Sequence, residues 1–186
     1  MNAVATSAEI DDALRARLAA HVRDVPDFPS PGVLFKDITP LLADARALRD
    51  CVDALAAPWR GAGLDAICGI EARGFIFGAA LARALDAGFV PLRKAGKLPA
   101  ATRSVEYFLE YGSARLEAHE DALVSGARVL IVDDVLATGG TLAAGFDLVQ
   151  SLGAEVAGAA VVIELAFLEG RARWPADVPL RSLLRY

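Results

Sequence analysis

The sequence of 186 residues lacks the features that are typical of nucleic-acid-binding, membrane and secreted proteins. It has no dense block of lysine and arginine, and its net charge of −5 argues against nucleic acid or an anionic membrane as a main partner. It does not start with a basic segment followed by an apolar run, so we expect no secretory signal. The most apolar segment, Ala157 to Leu168, contains Glu164 and is too short to cross a bilayer. We therefore expect a cytoplasmic protein with no membrane and no nucleic acid among its partners.

Cysteine is also scarce, since only Cys51 and Cys68 are present, each in an apolar segment. Buried free thiols in a reducing cytoplasm explain them more simply than a disulfide. We find no internal repeat or low-complexity tract. With 55% hydrophobic and 23% charged residues, the composition is typical of a single globular domain over residues 1–186.

The sequence lacks the dinucleotide-binding G-x-G-x-x-G pattern and the lysine of the P-loop, but it has a different glycine turn after a strand. Residues 129–141 read VLIVDDVLATGGT. Their β-branched start predicts a buried strand, and the carboxylates of Asp133 and Asp134 come where we expect that strand to leave the sheet. A helix pattern begins immediately after the turn.

This turn has the composition of an anion site. Its glycines allow backbone N–H groups to approach a ligand, the helix N-terminus favours negative charge, and two threonines add hydroxyl donors. The residues are Ala137, Thr138, Gly139, Gly140 and Thr141. An anion site beside two carboxylates suits a ribose 5-phosphate. The alternative is an ordinary tight turn, with one acid as a helix cap and its neighbour solvated.

Strand and helix patterns alternate from about residue 64 to 165, which predicts an α/β fold with a doubly wound, mostly parallel sheet flanked by helices. Two more predicted strand ends carry cations. These are Arg73, in a tight turn, and the group Arg93, Lys94 and Lys97. Since strand ends converge on one crevice in such sheets, we expect the cations to bind anions there. The alternatives are a surface charge for Arg73 and a solvated basic turn for the others.

Other segments depart from this alternation. Within the segment of about 25–40, Val25 to Gly32 contains three prolines and a glycine, which favours a stiff, extended chain. This segment predicts either a wall over a planar ligand or a strand packed on the body. Residues 105–111 follow a period-2 pattern, which predicts a flexible β-hairpin flap over about 98–120 with Glu110 as a candidate acid or base near its tip. We expect the residues after Leu168 to pack against the body.

Six segments together resemble the type I phosphoribosyltransferases, in the order seen in that family. They read FPSPGVLFKDITPLL, GIEARGFIFG, RKAGKLP, YFLEYG, VLIVDDVLATGGT and VIELAFLEGR, and they span about Phe28 to Arg171. The first and fourth are similar to segments particular to the adenine-specific members. The resemblance implies the type I phosphoribosyltransferase fold, with an N-terminal hood and a flexible hairpin. It also implies Mg²⁺-dependent transfer of the 5-phosphoribosyl group from phosphoribosyl pyrophosphate (PRPP) to N9 of adenine, giving AMP and pyrophosphate.

The resemblance implies roles for individual residues as well. Asp133 and Asp134 would bind the ribose hydroxyls, and the turn of residues 137–141 would bind the 5-phosphate. Pyrophosphate would be bound by Arg73, Arg93, Lys94, Lys97 and Tyr111. Adenine would be surrounded by Leu34, Phe35, Lys36 and Leu165. Glu110 would be the catalytic acid or base, and a cis peptide bond is expected at Glu71–Ala72.

The family is dimeric, so the resemblance also implies a homodimer. Mg²⁺ would be held mainly by PRPP or pyrophosphate and water, because the sequence has no His/Cys/Asp cage that predicts a metal site in the protein. Two positions depart from the family pattern: Ala95 replaces a common basic residue, and Phe108 replaces a smaller or polar one. Both changes concern the flap and its neighbouring basic turn.

Three other functions fit parts of the sequence less well. A PRPP- or purine-sensing regulator would usually carry a nucleic-acid-binding module and could lose the flap glutamate, but Glu110 is present and the charge is negative. A transferase for another base, such as hypoxanthine, xanthine or orotate, would not be expected to have the FPSPGVLFKD and LEYG segments. A nucleotide-binding oxidoreductase would need the glycine pattern that is missing.

Overall fold

The computed structural model describes residues 11–108 and 113–186. The α-helices in this part are α1 (Asp12–Ala19), α2 (Thr39–Ala43), α3 (Ala45–Ala56), α4 (Gly74–Leu85) and α5 (Gly140–Ser151). The strands are β1 (Arg23–Pro26), β2 (Leu34–Asp37), β3 (Ala66–Ile70), β4 (Gly88–Lys94), β5 (Thr102–Phe108), β6 (Ser113–His119), β7 (Arg128–Leu136), β8 (Glu155–Glu164) and β9 (Leu180–Arg185).

Seven of these strands form one sheet in the order β5-β6-β4-β3-β7-β8-β9. The pairs from β4 through β9 are parallel, whereas β6 runs antiparallel to both β4 and β5. The predicted α/β fold with a doubly wound, mostly parallel sheet is therefore confirmed. In such a sheet the carboxyl ends of β3, β4, β7 and β8 lie on the same side, where a ligand site is expected.

Two hydrophobic cores cover the two faces of the sheet, because side chains alternate along each buried strand. Cys68 and Ile131 belong to the core that packs against α5. Their neighbours Ile67 and Leu130 belong to the opposite core, together with α3 and α4. The continuous apolar runs in the sequence thus come from strands that are covered on both faces.

The edge strand β9 corrects the expectation that the tail only packs against the body. It pairs in parallel with β8, with Ala159 opposite Leu180 and Glu164 opposite Arg185. Two short 3₁₀ segments, Ala166–Leu168 and Gly170–Arg173, replace the helix that usually connects parallel strands. Because a 3₁₀ turn has no long amphipathic pattern, the crossover and its strand were hard to predict from periodicity.

The predicted hood segment falls on a separate two-stranded antiparallel hairpin. Its strands β1 and β2 pair with Val25 opposite Phe35 and Asp24 opposite Lys36. Asp37, at the end of β2, accepts hydrogen bonds from the backbone N–H and the hydroxyl of Thr39, which join the hood to α2.

Both cysteines are buried free thiols, as expected. Burial raises the pKa of Cys51 and of Cys68 to about 12, so neither is a reactive thiolate at neutral pH. Across residues 11–108 and 113–186, no helix combines the length and the apolarity that crossing a membrane requires.

Candidate functional site

Asp133 and Asp134 lie at the end of the pairing between β7 and β3, whose last partners are Gly69 and Val132. Strand β7 itself continues to Leu136 because its pairing with β8 continues, so the acids lie within the strand and not after it. The backbone N–H of Asp134 donates a 2.8 Å hydrogen bond to Oδ1 of Asp133. Burial, and then the charge of Asp134, raise the pKa of Asp133 well above its usual range. The oxygens of this acid pair can accept hydrogen bonds from a ligand that brings hydroxyl donors.

The turn after β7 forms a small cavity of about 60 Å³, lined by Asp133, Ala137, Thr138, Gly139 and Thr141 among others. Gly139 has φ of 82°, a conformation that side chains disfavour, and Gly140 begins α5. The helix N-terminus therefore opens directly onto the cavity. Such a small, donor-lined space at a helix N-terminus has the properties of a phosphate site.

Gly170 supports this turn from behind. A side chain there would collide with the carbonyl oxygen of Ala137, and a side chain at Gly139 would collide with that of Gly170. The backbones of the two segments therefore pack directly on each other. Sequence analysis missed this contact, although Gly170 lies in one of the segments that carried the resemblance.

The turn between β3 and α4 brings Arg73 to the acid pair. The peptide bond Glu71–Ala72 is cis, as the resemblance implied. Nε of Arg73 lies 2.8 Å from Oδ2 of Asp134, and its guanidinium lies 5.1 Å from the centre of the Phe35 ring. Burial raises the pKa of Asp134, although the charge of Arg73 opposes this shift. A cation, an acid and an aromatic ring from three segments thus meet at one point.

The basic segment is arranged differently from the prediction. Arg93 and Lys94 belong to β4 and not to a turn after it, because β4 gains a second partner in β6 at these two residues. Nε of Arg93 donates a 3.2 Å hydrogen bond to Glu71, and Nη1 donates one of 2.9 Å to the carbonyl oxygen of Lys97. The turn itself is held by Glu117, which accepts the N–H of Gly96. Arg93 therefore ties the Lys97 turn to the Arg73 loop.

One cavity of about 680 Å³ joins most of these groups. Predicted site residues in its lining are Leu34, Phe35, Lys36, Arg73, Lys94, Asp133, Asp134, Ala137, Thr141 and Leu165. Arg93 and Lys97 are not among its lining residues, and Thr138 and Gly139 line the smaller cavity instead. Residues of the hood therefore contribute to the lining of the cavity, and the same segment is a paired strand.

Several lining residues were missed by sequence analysis, namely Val33, Glu71, Ala72, Tyr107, Ala114, Val135 and Leu168. Tyr107 and Ala114 face each other across the hairpin formed by β5 and β6. The period-2 pattern of this hairpin was a signal, since it placed Tyr107 on one face with Val105. Glu110 and Tyr111 lie outside the described residues, in the stretch 109–112 between these two strands.

Comparison with known proteins is consistent with this geometry. The family model described as the phosphoribosyl transferase domain matches residues 42–178. An adenine phosphoribosyltransferase of Xanthomonas campestris pv. campestris (strain 8004) is 59% identical over 171 residues, which cover 92% of this chain and 92% of that protein.

Solved structures agree with the sequence match. The crystal structure of adenine phosphoribosyltransferase from Rhodothermus marinus DSM 4252 has a TM-score of 0.91 and 49% identity, and covers 95% of this chain and 100% of that one. The Saccharomyces cerevisiae enzyme, in complex with an imino-altritol bisphosphate and adenine, has a TM-score of 0.88 and 39% identity over 94% of this chain and 100% of that one. The chain therefore belongs to the phosphoribosyltransferase family, in its adenine phosphoribosyltransferase branch, which forms AMP and pyrophosphate from adenine and PRPP.

Proposed function

We propose that this chain carries out that transfer in the cavity between the hood, the Arg73 loop and the turn that follows β7. The observation that carries the proposal is the single cavity of about 680 Å³ that joins these three segments. Its volume lies in the range of small-molecule sites, and it is lined by apolar groups at the hood and charged groups at the strand ends. This gradient suits a ligand with a flat base at one end and phosphates at the other.

The ribose 5-phosphate would bind at the end of β7. Residues 137–141 would hold the phosphate through backbone N–H groups and the hydroxyls of Thr138 and Thr141. Asp133 and Asp134 would accept hydrogen bonds from the ribose hydroxyls. In support, Oδ2 of Asp134 is buried and accepts no hydrogen bond from the described residues, so it has an acceptor site for a ligand donor.

The pyrophosphate would bind beside Arg73 and Lys94, the two cations that line the cavity. Arg93 and Lys97 would contribute through the turn that Arg93 stabilises, and Tyr111 would be supplied by the stretch 109–112. Fixed cations stabilise the charge that develops on the leaving pyrophosphate more than they stabilise bound PRPP. Their role is therefore in the transition state as well as in binding.

Adenine would bind between the hood and the end of β8. Leu34, Phe35 and Lys36 would form one wall and Leu165 the other. Phe35 and Phe28 pack edge to face with their ring centres 5.1 Å apart, which adds an aromatic contact within the hood wall. Backbone groups of this wall would identify the base by hydrogen bonds, since its side chains are mostly apolar.

In the reaction, the N9 lone pair of adenine forms the new bond to C1′ of PRPP while the bond from C1′ to the pyrophosphate oxygen breaks. The electron pair of the broken bond leaves with pyrophosphate, and the ribose passes through an oxocarbenium-like state. Glu110 would take the purine proton, which a general base accelerates by about 10² to 10⁴. Tyr107 and Ala114 both line the cavity. Because Glu110 lies between them in the sequence, their position supports this role.

Mg²⁺ would enter as part of the PRPP complex. Among residues 11–108 and 113–186, no group of three histidine, cysteine, aspartate or glutamate side chains could hold a metal ion, whereas pyrophosphate and water supply the oxygen ligands that Mg²⁺ prefers. Bound there, the ion would neutralise charge on the leaving group. The residues near the pyrophosphate would position this complex and not coordinate the metal as a cage.

We also propose a cytoplasmic homodimer in which residues 1–186 act as one domain. The family resemblance supports the dimer. The buried free thiols Cys51 and Cys68 support a reducing compartment.

The test is a spectrophotometric assay with PRPP and Mg²⁺ that offers adenine, hypoxanthine, guanine and xanthine separately. AMP formation from adenine alone is expected. Preference for another base would overturn the assignment of the hood and Leu165 as an adenine pocket, and tight PRPP binding without turnover of any base would favour a sensor. A Glu110→Gln variant with the wild-type rate would remove Glu110 from its proposed role.

A further inference from the structure

Tyr186, the last residue of the printed sequence, contacts the hood wall of the cavity. Nζ of Lys36 lies 4.0 Å from the centre of the Tyr186 ring, which is the geometry of a cation–π contact. Lys36 belongs to β2 and lines the cavity. Tyr186 follows β9, an edge strand of the main sheet, whereas β2 belongs to the separate hood hairpin. The contact therefore joins the hood to the body.

The ammonium group of Lys36 is held on two sides. Besides the ring of Tyr186, it donates a 2.6 Å hydrogen bond to Oδ1 of Asp24 in the neighbouring strand β1. The side chain of Lys36 is only 9% exposed, whereas that of Asp24 is 53% exposed. Because an almost buried cation depends on each of its partners, the ring and the carboxylate together determine where Lys36 lies.

The backbone of Tyr186 is bonded to the other wall of the cavity. Its N–H donates a 3.0 Å hydrogen bond to the carbonyl oxygen of Glu164, and its own carbonyl oxygen accepts one of 2.8 Å from the N–H of Ala166. These two residues flank Leu165, which also lines the cavity. Tyr186 therefore contacts both segments between which adenine is proposed to bind.

We propose that Tyr186 is a positioning residue for the base pocket, which holds Lys36 of the hood at a fixed separation from Leu165. The inference rests on the proposed binding of adenine between these segments. Burial, and then the nearby charge of Asp24, raise the pKa of the Tyr186 phenol, so the ring stays neutral at physiological pH. A neutral ring holds Lys36 through its face, and a phenylalanine ring can do the same.

The experiment compares Tyr186→Leu with Tyr186→Phe in steady-state kinetics. Loss of the ring in Tyr186→Leu is expected to raise the KM for adenine by about 2- to 30-fold, the range of one cation–π contact. The KM for PRPP and kcat should stay within about twofold of wild type, because the phosphate turn and the acid pair are not touched. Tyr186→Phe, which keeps the ring and loses only the hydroxyl, should restore the wild-type KM for adenine.

Arg181→Ala, a substitution earlier in the same strand, is the matched control and should leave all three constants unchanged. Tyr186→Leu with a wild-type KM for adenine would overturn the inference, as would a Tyr186→Phe variant that resembled Tyr186→Leu. A double-mutant cycle with Lys36→Met gives a second measurement: once Lys36 has lost its charge, adding Tyr186→Leu should raise the KM for adenine no further. Full additivity of the two substitutions would equally contradict a role through Lys36.

Failure of this inference is distinguishable from failure of the base-pocket assignment. If Phe35→Ala and Lys36→Met leave the KM for adenine unchanged, adenine does not bind at the hood and both proposals are wrong. If they raise that KM while Tyr186→Leu does not, the pocket stands and only the positioning role of Tyr186 is wrong. Should Tyr186→Leu not fold, Tyr186→Met gives the same test, because it also removes the ring and should raise the KM for adenine by about 2- to 30-fold, whereas an unchanged KM would overturn the inference.

Discussion

Nε of Arg73 lies 2.8 Å from Oδ2 of Asp134, so a cation proposed to bind pyrophosphate is paired with an acid proposed to bind ribose. The two charges are close, but the N–H does not point at the oxygen, and Oδ2 accepts no hydrogen bond within the described residues. The charge of Arg73 opposes the rise in pKa that burial causes at Asp134, and the ion pair leaves the acceptor site of Oδ2 open. We expect a ribose hydroxyl of PRPP to donate a hydrogen bond to Oδ2 of Asp134. The pyrophosphate of PRPP should then lie beside the partly exposed side chain of Arg73.

Replacing Arg73 by methionine should weaken PRPP binding and hardly affect adenine. The variant loses charged hydrogen bonds to pyrophosphate, each worth about 1.5 to 3 kcal/mol, so we expect the KM for PRPP to rise by about 10-fold or more. The measurement is steady-state kinetics with each substrate varied in turn. Arg49→Met is the matched control, because Arg49 is a surface arginine whose side chain is 66% exposed. Equal rises in the KM for adenine and for PRPP would contradict this assignment.

Replacing Asp133 by asparagine should stabilise the fold at neutral pH although it harms PRPP binding. Because the folded-state pKa of Asp133 is raised above its ordinary value of 3.8, the folded protein binds more protons than the unfolded chain above that pH. The stability contribution of Asp133 is complete below pH 3.8 and is lost as the pH rises through the folded-state pKa. The asparagine variant has no such loss.

Urea denaturation from pH 4.5 to 7.5 checks this prediction. The free energy of unfolding of Asp133→Asn, minus that of the wild type, should increase with pH over this range. Asp147→Asn, at an exposed position of α5, serves as the control for the loss of one carboxylate. A difference that decreased with rising pH would mean that the folded state favours the charged form of Asp133.

The fold was largely predictable because the buried strands are continuous apolar runs, which turns interrupt. The segment 129–141 alone indicated a strand, an acid pair and a glycine turn, and the structure places all three in order. The predictions were wrong where a strand pairs with a strand from a distant part of the chain, because the local sequence does not encode that pairing. Strand β4 extends over Arg93 and Lys94 because β6 pairs with it there, and β9 pairs with β8 through a crossover without a regular helix.

Site residues near predicted strand ends could be predicted from the sequence. Residues whose role depends on a contact with a distant segment were harder to predict. Arg73 and Asp134 were each found from their position near a predicted strand end, but their pairing depends on the relative position of β3 and β7. Glu71 was missed, although it accepts hydrogen bonds from the Arg93 side chain and the Lys94 N–H, because these partners lie on another strand. Contacts between distant segments have no local pattern.

Replacing Gly170 by alanine should damage the phosphate turn without touching a ligand. The added methyl group would meet the carbonyl oxygen of Ala137 and the N–H of Gly139, so the turn must move. A shift of this kind should raise the Kd for AMP by about 10-fold or more, since phosphate binding there depends on well-placed N–H groups. Isothermal titration with AMP measures this effect.

Gly88→Ala is the matched control for this substitution. Its added methyl group would have only ordinary contacts, with the nearest atom 3.4 Å away, and it lies at the start of β4 far along the chain from the turn. Its Kd for AMP should equal that of the wild type. If Gly170→Ala also binds AMP normally, the packing of the two backbones has no role in shaping the phosphate site.

Replacing Glu164 by glutamine should destabilise the C-terminal edge of the sheet. Glu164 is 3% exposed, and its carboxylate accepts hydrogen bonds of 2.6 Å from Arg171 and 2.7 Å from Ser182. The bond from Arg171 is the main cause of its lowered pKa, despite burial, so the acid is charged at neutral pH. Since Arg171 is partly exposed and would regain water, we expect a loss of about 1 to 3 kcal/mol in the free energy of unfolding.

Glu155→Gln, at the other end of the same strand, separates this effect from a general charge effect. Its side chain is 66% exposed, and its nearest cation, Arg128, is 3.7 Å away. An exposed pair of this kind contributes less than about 1 kcal/mol, so chemical denaturation should show a clear difference between the two variants. Because Glu164 also fixes the strand that leads to Tyr186, Glu164→Gln should raise the KM for adenine while Glu155→Gln does not. Equal stability of the two variants would mean that the Glu164–Arg171 pair does not hold β9 in place.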